Sequence, residues 1–282
     1  MSNSKSRQAN FDGWDDDPPS AAESATANRA AQTTAPPATA AAAEFKLDDL
    51  AGRTVYVIDS HSLIFQVFHA LPPMTTPGGQ AVGAVYGFTR DLVYLIEEKK
   101  PDYLFCAFDM PGKTFRHALY ERYKETRETM PIDLQPQIPM IERVIEAMAI
   151  PKLGVVNYEA DDVLATVARI CNEQHAFCYL VTGDKDCRQL ITDYVKVYNI
   201  RKNQVYDEAA LQADWGIEPK QVIDFQSLVG DSVDCVPGVP LIGPKIAQGL
   251  LTEYGTLEGV FAHVEQMKKG KRKENLIEHQ ET

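Results

Sequence analysis

Short apolar runs alternate with stretches of helical apolar spacing from about residue 53 onward. Runs typical of buried strands occur at 55–58, 103–108, 153–156, 177–181 and 195–200. Helical spacing between them predicts helices over 82–96, 138–148 and 163–171. This order predicts an α/β fold with a mostly parallel sheet and helices on both faces. From about residue 207 the spacing is helical almost throughout, which predicts a helical second lobe over 207–282.

The first 45 residues lack this pattern. Ala, Ser, Thr and Pro supply 26 of them, and no helical apolar period is present. Because such a segment buries too little apolar surface to offset its conformational entropy, we predict a disordered tail over 1–45. A short motif from Phe11 to Trp14, followed by three aspartates, is either a partner-binding peptide or part of a solvated tail.

Composition excludes some classes of protein. No run of 18 or more apolar residues exists, so a membrane span is not expected, and the N-terminus lacks a secretory signal pattern. The five cysteines include no CxxC pair, which fits a reducing cytosol, and the sequence therefore predicts a cytoplasmic protein. The 282 residues carry 28 Lys and Arg against 40 Asp and Glu, a net charge of −12. An acidic balance normally counts against a nucleic-acid partner, so the location of the acids matters.

Acidic residues recur where the first four predicted strands end. Parallel strands place their carboxyl ends on one edge of the sheet, so we expect these acids to converge there. Further acids follow at close spacing, including the i, i+3 pair Asp231 and Asp234. The full set of candidate metal ligands is Asp59, Asp109, Glu159, Asp161, Asp162, Asp184, Asp186, Asp231 and Asp234. Nine anions in one cleft require cations, and oxygen donors favour Mg²⁺ or Mn²⁺. His61 and His69 lie nearby, and for them packing is the favoured interpretation over metal binding.

Two segments have the composition of phosphate-binding sites. The first, 112–127, is rich in basic and aromatic residues, and in a helix Arg116, Tyr120, Tyr123 and Arg127 would share one face. Cations and rings on one face suit a single nucleic-acid strand, although a solvated helix with ion pairs has the same composition. The second, 236–247, holds two glycines before a predicted helix start near Lys245, where backbone N–H groups could bind the phosphates of a duplex.

The order of these motifs resembles the bacterial 5′-nuclease family. The resemblance rests on Asp59, Phe108-Asp109, Glu159-Ala160-Asp161-Asp162, Thr182 to Asp186, Gly230-Asp231-x-x-Asp234, and the Pro-Gly-Val-Pro and Gly-Pro-Lys motifs, and it covers roughly 53–280. This family includes the N-terminal 5′→3′ exonuclease domain of DNA polymerase I and is related to phage and eukaryotic flap endonucleases. The resemblance implies a PIN-like core over 46–206, with a helical arch near 111–135. It also implies a helix–three-turn–helix element in the second lobe, with a K⁺ ion.

The resemblance also implies an activity and roles for the residues. It implies two-metal, Mg²⁺- or Mn²⁺-dependent hydrolysis of DNA at 5′ ends and 5′ flaps, including RNA–DNA primers, in replication and repair. The protein would be a monomer associated with the bacterial nucleoid, with a polymerase domain or polymerase partner. By position, Lys113 and Arg116 match the basic arch residues that face the scissile phosphate. The DNA-contacting residues would be Tyr120, Tyr123, Lys124, Arg127, Gly238, Val239, Gly243 and Lys245.

Some positions depart from the family pattern. Gln66 stands where relatives usually carry Arg, and Cys235 stands where Asn is usual. Ser60, Leu241 and Ile246 also differ, and the sequence stops at Thr282, before the last segments that such domains usually carry, which predicts a truncated lobe. A non-catalytic module for branched DNA, an aspartate-nucleophile phosphotransfer enzyme and a PIN-type ribonuclease are the competing hypotheses. The ribonuclease has no need for a duplex-binding element, and the phosphotransfer enzyme leaves that element unexplained.

The acidic net charge does not argue against DNA once the acids are located. Residues 46–282 carry 25 Lys and Arg and 34 Asp and Glu. The excess of nine acids equals the nine candidate ligands, so the remaining surface is balanced.

Overall fold

The computed structural model describes residues 49–127 and 129–280. The predicted disordered tail and its Phe11–Trp14 motif lie outside these residues. The described chain begins with a six-stranded sheet in the order β3-β2-β1-β4-β5-β6. Its strands are β1 (Thr54–Asp59), β2 (Tyr103–Ala107), β3 (Lys152–Leu153), β4 (Phe177–Val181), β5 (Val195–Asn199) and β6 (Gln204–Tyr206). All neighbours pair in parallel except β5 and β6, which confirms the mostly parallel α/β prediction.

Alternation along β1 gives the sheet two buried faces. Tyr56 and Ile58 pack on one face against α1 (Ser60–Ala70), α2 (Gly83–Tyr94) and α4 (Ile138–Ala147). Val55 and Val57 pack on the other face against α5 (Ala160–Glu173). Because successive side chains of a strand point to opposite faces, a run that is apolar throughout fits a strand covered on both sides.

The helical prediction after residue 207 is confirmed. The helices are α6 (Glu208–Trp215), α7 (Val222–Val229), α8 (Pro244–Tyr254), α9 (Leu257–His263) and α10 (Lys271–Glu278). They enclose a third apolar core that includes Phe225, Leu228, Leu251 and Val260. None of the helices within 49–127 and 129–280 is long and apolar enough to cross a membrane.

Several local predictions differ from the structure. The third strand pairs only at Lys152–Leu153 instead of 153–156, because the chain turns at Asn157, where φ is +73°. The helix over 82–96 ends at Tyr94 and continues as one π-helical turn, Leu95–Lys99. Helix α1 and the antiparallel edge strand β6 were not predicted; β6 has only three residues, and α1 begins directly after β1, with Asp59 as its N-cap.

Candidate active site

The acids that follow the strands meet at the carboxyl edge of the sheet. Asp59 ends β1 and also caps α1, accepting hydrogen bonds from the Ser62 N–H (3.1 Å) and the Thr182 hydroxyl (2.9 Å). Asp109 follows β2 and accepts a bond from the Ala160 N–H (2.8 Å) at the start of α5. These bonds tie β1, β2, β4 and α5 together at one point, as parallel topology requires.

A cavity of about 230 Å³ lies among four of these acids. Asp59, Asp109, Asp161 and Asp184 line it, together with Lys124 and other side chains. Burial, followed by repulsion from Asp59 and Asp184, raises the pKa of Asp161 to about 8. Burial likewise raises the pKa of Asp59 to about 6, with further contributions from Asp109 and Asp184. The surroundings therefore disfavour the ionised form of these two carboxylates, and a bound cation would stabilise it.

A second cavity of about 530 Å³ shares Asp184 with the first. Its other acids are Asp186, Asp231 and Asp234, and Gln66 lies on its wall. Asp231 pairs with the Lys185 ammonium at 3.1 Å. Although burial acts to raise it, the Val233 N–H and Lys185 hold the pKa of Asp231 below its ordinary value. Two adjoining acidic cavities with a common aspartate thus follow the sheet edge.

Glu159 and Asp162 bind cations of this chain. Arg116 forms a two-bond pair with Asp162 at 2.7 and 2.8 Å. Lys124 Nζ and the Tyr123 hydroxyl each lie 2.9 Å from Glu159 Oε2. Glu159 and Asp162 are also the N-cap and third residue of α5, joined by a capping box. In this conformation Glu159 and Asp162 are therefore paired with side chains of residues 116–124.

The donor set fits a hard divalent cation, although the acids are not preassembled around one. Within 49–127 and 129–280, no group of three or more His, Cys, Asp or Glu side chains is arranged to hold a single metal ion. All the cavity acids are oxygen donors, which Mg²⁺ and Mn²⁺ prefer. Burial, with repulsion between neighbouring acids, raises the pKa of Asp59 and of Asp161, so a cation among them would stabilise the ionised carboxylates.

The two histidines have different environments. His61 Nδ1 lies 3.3 Å from Asp109 Oδ2, and its ring meets Phe108 edge-on. Although burial opposes it, the hydrogen bonds from His61 and Ala160 hold the pKa of Asp109 below its usual range. His69 packs against Phe65 and Phe68, as the packing interpretation expects. His61 thus belongs to the acidic site as well as to the apolar packing.

The segment above the site is only partly helical. Helix α3 spans Phe115–Leu119, and the chain then forms turns, with Lys124 at φ +58°. The helical face expected for Arg116, Tyr120, Tyr123 and Arg127 is therefore not formed. Two of these side chains bind the segment after α7 instead. Arg127 pairs with Asp234 at 3.0 Å, and the Tyr120 hydroxyl donates to the Cys235 carbonyl. Lys113 is exposed in the loop before α3.

The predicted duplex-binding residues lie between α7 and α8. Gly243 caps α8, and Lys245 is exposed in its first turn. Val239 is 7% exposed, and its N–H donates to the Leu228 carbonyl, so its side chain belongs to the core of the lobe. Gly238 lies against the backbone of Val229 and Gly230, where a side chain would not fit. The glycines therefore close the α7–α8 corner, and the N-terminus of α8 is the exposed part of it.

Sequence reasoning did not select two polar residues that support the acids. The Thr182 hydroxyl donates to Asp59 and accepts from the Asp184 N–H. Lys185 pairs with Asp231, across the boundary between the sheet domain and the helical lobe. Both lie within Thr182-Gly183-Asp184-Lys185-Asp186, so their position in that motif was the available signal.

Fold and site together define a PIN-like, resolvase-like α/β domain with an acidic edge and a helical lobe beside it. The family model for the N-terminal, resolvase-like domain of 5′-3′ exonuclease matches residues 54–216. The model for the C-terminal SAM fold of 5′-3′ exonuclease matches residues 217–282. The chain belongs to the 5′-3′ exonuclease family, a family of hydrolases that includes flap endonucleases.

Curated relatives of two lengths match the chain. It is 37% identical over 217 residues to the 5′-3′ exonuclease of Aquifex aeolicus, covering 77% of this chain and 75% of that protein. It is 37% identical over 234 residues to DNA polymerase I of Rhizobium leguminosarum, covering 80% of this chain and 23% of the polymerase. The chain thus spans about a quarter of the length of the polymerase.

Solved structures share the fold. The T5 5′-exonuclease with bound zinc ions superposes with a TM-score of 0.69 at 19% identity, over 81% of this chain and 86% of that one. A T5 flap endonuclease in a pseudo-enzyme–product complex with DNA and metal ions gives a TM-score of 0.68 at 19% identity, over 81% and 85% of the two chains.

Proposed function

We propose that this chain is a Mg²⁺- or Mn²⁺-dependent nuclease that hydrolyses DNA at 5′ ends and at 5′ flaps. The observation that carries the proposal is the pair of adjoining acidic cavities, which share Asp184 and have Lys124 and Arg127 in their lining. Basic side chains next to carboxylates suit a phosphate group, because the carboxylates can hold metal ions and the basic side chains can bind the phosphate oxygens. The zinc-bound and DNA-bound T5 structures support a metal-dependent reaction on DNA.

The two cavities divide the proposed metal ligands. Asp59, Asp109, Asp161 and Asp184 would hold one ion, with Glu159 joining them once Lys124 moves to a phosphate. Asp184, Asp186, Asp231 and Asp234 would hold the second, and Asp162 would act through Arg116. Two ions bound there would supply an activated water for attack and charge stabilisation for the leaving oxygen.

The basic residues above the acids would bind and orient the phosphate. Arg116 presents a planar donor set, which Asp162 already binds through two hydrogen bonds. On substrate binding, Arg116 and Lys113 would neutralise charge on the scissile phosphate. Lys124 and Arg127 would exchange their carboxylate partners for the DNA backbone, along with Tyr120 and Tyr123. Gly243 and Lys245 at the start of α8 would hold the duplex without reading its sequence, with K⁺ assisting there.

An acidic site beside a duplex-binding lobe suits a junction between single and double strands, including RNA–DNA primers during replication and repair. The polymerase relatives support a polymerase domain or polymerase partner, and we propose that the nuclease acts as a monomer in the bacterial cytoplasm.

The first prediction tests metal-dependent cleavage. A 5′-labelled flap and a blunt duplex should be cut in Mg²⁺ and left intact in EDTA, with product lengths mapping the cleavage position. Asp184→Asn should lower cleavage by at least about 100-fold, because Asp184 lines both cavities. The matched control is Asp193→Asn, an exposed acid just before β5 at the opposite edge of the sheet. Tight flap binding without cleavage in Mg²⁺ would instead identify a non-catalytic module for branched DNA.

A further inference from the structure

A third groove, of about 590 Å³, lies outside the two acidic cavities. The edge strand β3, the turn after it and α5 form its walls, and Leu153, Val155, Tyr158, Val163 and Val167 supply most of the lining. Tyr158 is 46% exposed and Val155 51%, so large apolar groups face solvent there. Contiguous exposed apolar surface of this kind marks a binding site more often than scattered exposed residues do.

The local backbone presents Tyr158 outward next to the acids. The Tyr158 N–H donates to the Val155 carbonyl, and Asn157 between them has φ +73°. A tight turn therefore precedes α5. The next residue, Glu159, is buried at the N-terminus of α5. The exposed Tyr158 ring and the buried Glu159 carboxylate therefore belong to consecutive residues.

A row of paired side chains also connects the groove to the acids. The Tyr158 and Phe115 ring centroids are 5.5 Å apart, and the Arg116 guanidinium lies over the Phe115 ring at 4.7 Å. Arg116 in turn binds Asp162, which lines the groove. An aromatic surface beside an arginine that faces the proposed phosphate site has the chemistry that binds an unpaired nucleotide.

We propose that the groove beside Tyr158 binds one unpaired nucleobase of the cleaved 5′ strand, which stacks on the Tyr158 ring. This inference rests on the proposed nuclease function, because it places the occupant next to the scissile phosphate. Stacking accepts any base, so the site would position the strand without selecting sequence. Tyr158 is thus a substrate-positioning residue of the 5′ single strand.

The second prediction tests stacking directly by fluorescence. 2-Aminopurine placed in turn at each of the first unpaired positions of a 5′ flap should be quenched at one position when the protein is saturated with this DNA in Ca²⁺. A label on the far duplex end reports binding by anisotropy. Tyr158→Ala should abolish the quenching and Tyr158→Phe should retain it, since the ring provides the contact. Quenching that persists in Tyr158→Ala would overturn the proposal.

The same variants test the consequence for cleavage in Mg²⁺. Tyr158→Ala should lower kcat/KM on the flap roughly 10-fold, mainly through KM, whereas Tyr158→Phe should lower it less than about 2-fold. An abasic site at the quenched position should reduce wild-type cleavage similarly, and the two losses should not multiply. If the losses multiply, Tyr158 acts through the fold instead of through a base. The control ring is Phe177, an exposed residue at the start of β4 on the opposite edge of the sheet.

These outcomes separate the two proposals. A wild-type protein that cuts no DNA in Mg²⁺ would overturn the nuclease function and, with it, the base site. A wild-type protein that cuts flaps, together with an unaffected Tyr158→Ala variant, would overturn the base site alone.

Discussion

Asp161 is the residue whose chemistry depends most on its surroundings. Its carboxyl lies partly buried at the start of α5, beside three other acids, and its pKa is raised from 3.8 to about 8. A helix N-terminus ordinarily favours an ionised acid, but burial and the neighbouring charges outweigh that effect here. The same excess charge that disfavours ionised Asp161 would favour a divalent cation.

The third prediction follows from this pKa and concerns the metal-free protein. The protonated carboxyl contributes stability that is complete below about pH 3.8 and is lost as pH rises to about 8. The amide of Asp161→Asn does not ionise, so this pH-dependent destabilisation is absent in the variant. The substitution should therefore stabilise the protein in EDTA by roughly 2 to 4 kcal/mol at pH 8, with little effect near pH 4. Thermal unfolding across this pH range measures the difference.

Added Mg²⁺ provides the complementary measurement. It should raise the Tm of the wild-type protein more than that of Asp161→Asn, because the variant lacks one anionic ligand. Asp193→Asn, an exposed acid far from the cavities, should show neither effect. A stability gain that did not vary with pH would show that the gain does not arise from ionisation of Asp161.

At the scale of elements, the corner between α7 and α8 depends on two glycines in contact. A Cβ on Gly238 would lie 2.3 Å from the Val229 carbonyl carbon and 2.4 Å from the Gly230 nitrogen. Gly230 itself has φ +81°. The hydrogen bond from the Val239 N–H to the Leu228 carbonyl holds the two backbone segments together at this point. The close approach therefore sets the angle at which α8 presents its N-terminus.

The fourth prediction compares two glycines of this lobe. Gly238→Ala should destabilise the protein by about 3 kcal/mol, since the added carbon meets backbone that cannot move. Gly249→Ala, in α8 with nothing within 4 Å of its Cβ, should instead stabilise it by about 0.5–1 kcal/mol through helix propensity. Urea unfolding gives both values, and equal effects at the two positions would contradict the packing argument.

The segment over the acids shows how tertiary contacts override a local pattern. Its 4, 3, 4 spacing of Arg116, Tyr120, Tyr123 and Arg127 predicted a helix, yet the helix ends at Leu119. Tyr123 and Lys124 both donate to Glu159 Oε2, whereas Arg127 donates to Asp234. These partners are 35 to 111 residues away in sequence, so the local spacing carried no information about them.

At the scale of the whole molecule, further contacts join the lobe to the acidic edge, besides the Lys185–Asp231 and Arg127–Asp234 pairs. Arg188, in the turn just after Asp186, is stacked between Tyr206 and Trp215 at 4.3 Å from each ring and pairs with Asp214 at 3.0 Å. Gln226 of α7 donates a hydrogen bond to Asp186. The position of the lobe is therefore coupled to the loop that carries Asp184.

The fifth prediction tests that coupling. Arg188→Ala should destabilise the protein by about 2 kcal/mol, shift the Trp215 fluorescence and speed hydrogen exchange in α6 and α7, because the stacked cation is lost. Arg169→Ala removes an exposed i, i+4 ion pair with Glu173 and should cost less than about 0.5 kcal/mol. Unchanged exchange in the lobe after Arg188→Ala would mean that the apolar contacts alone hold it in place.

The sequence alone predicted a mostly parallel sheet and the helical lobe, because apolar periodicity reports burial directly. It also placed the acids at one edge, since parallel strands bring their carboxyl ends together. Only the tertiary structure decided which acids face the cavities and which bind Arg116 and Lys124. That division, like the exposure of Tyr158 beside Glu159, depends on contacts between residues that are far apart in the chain or on turns that periodicity does not encode.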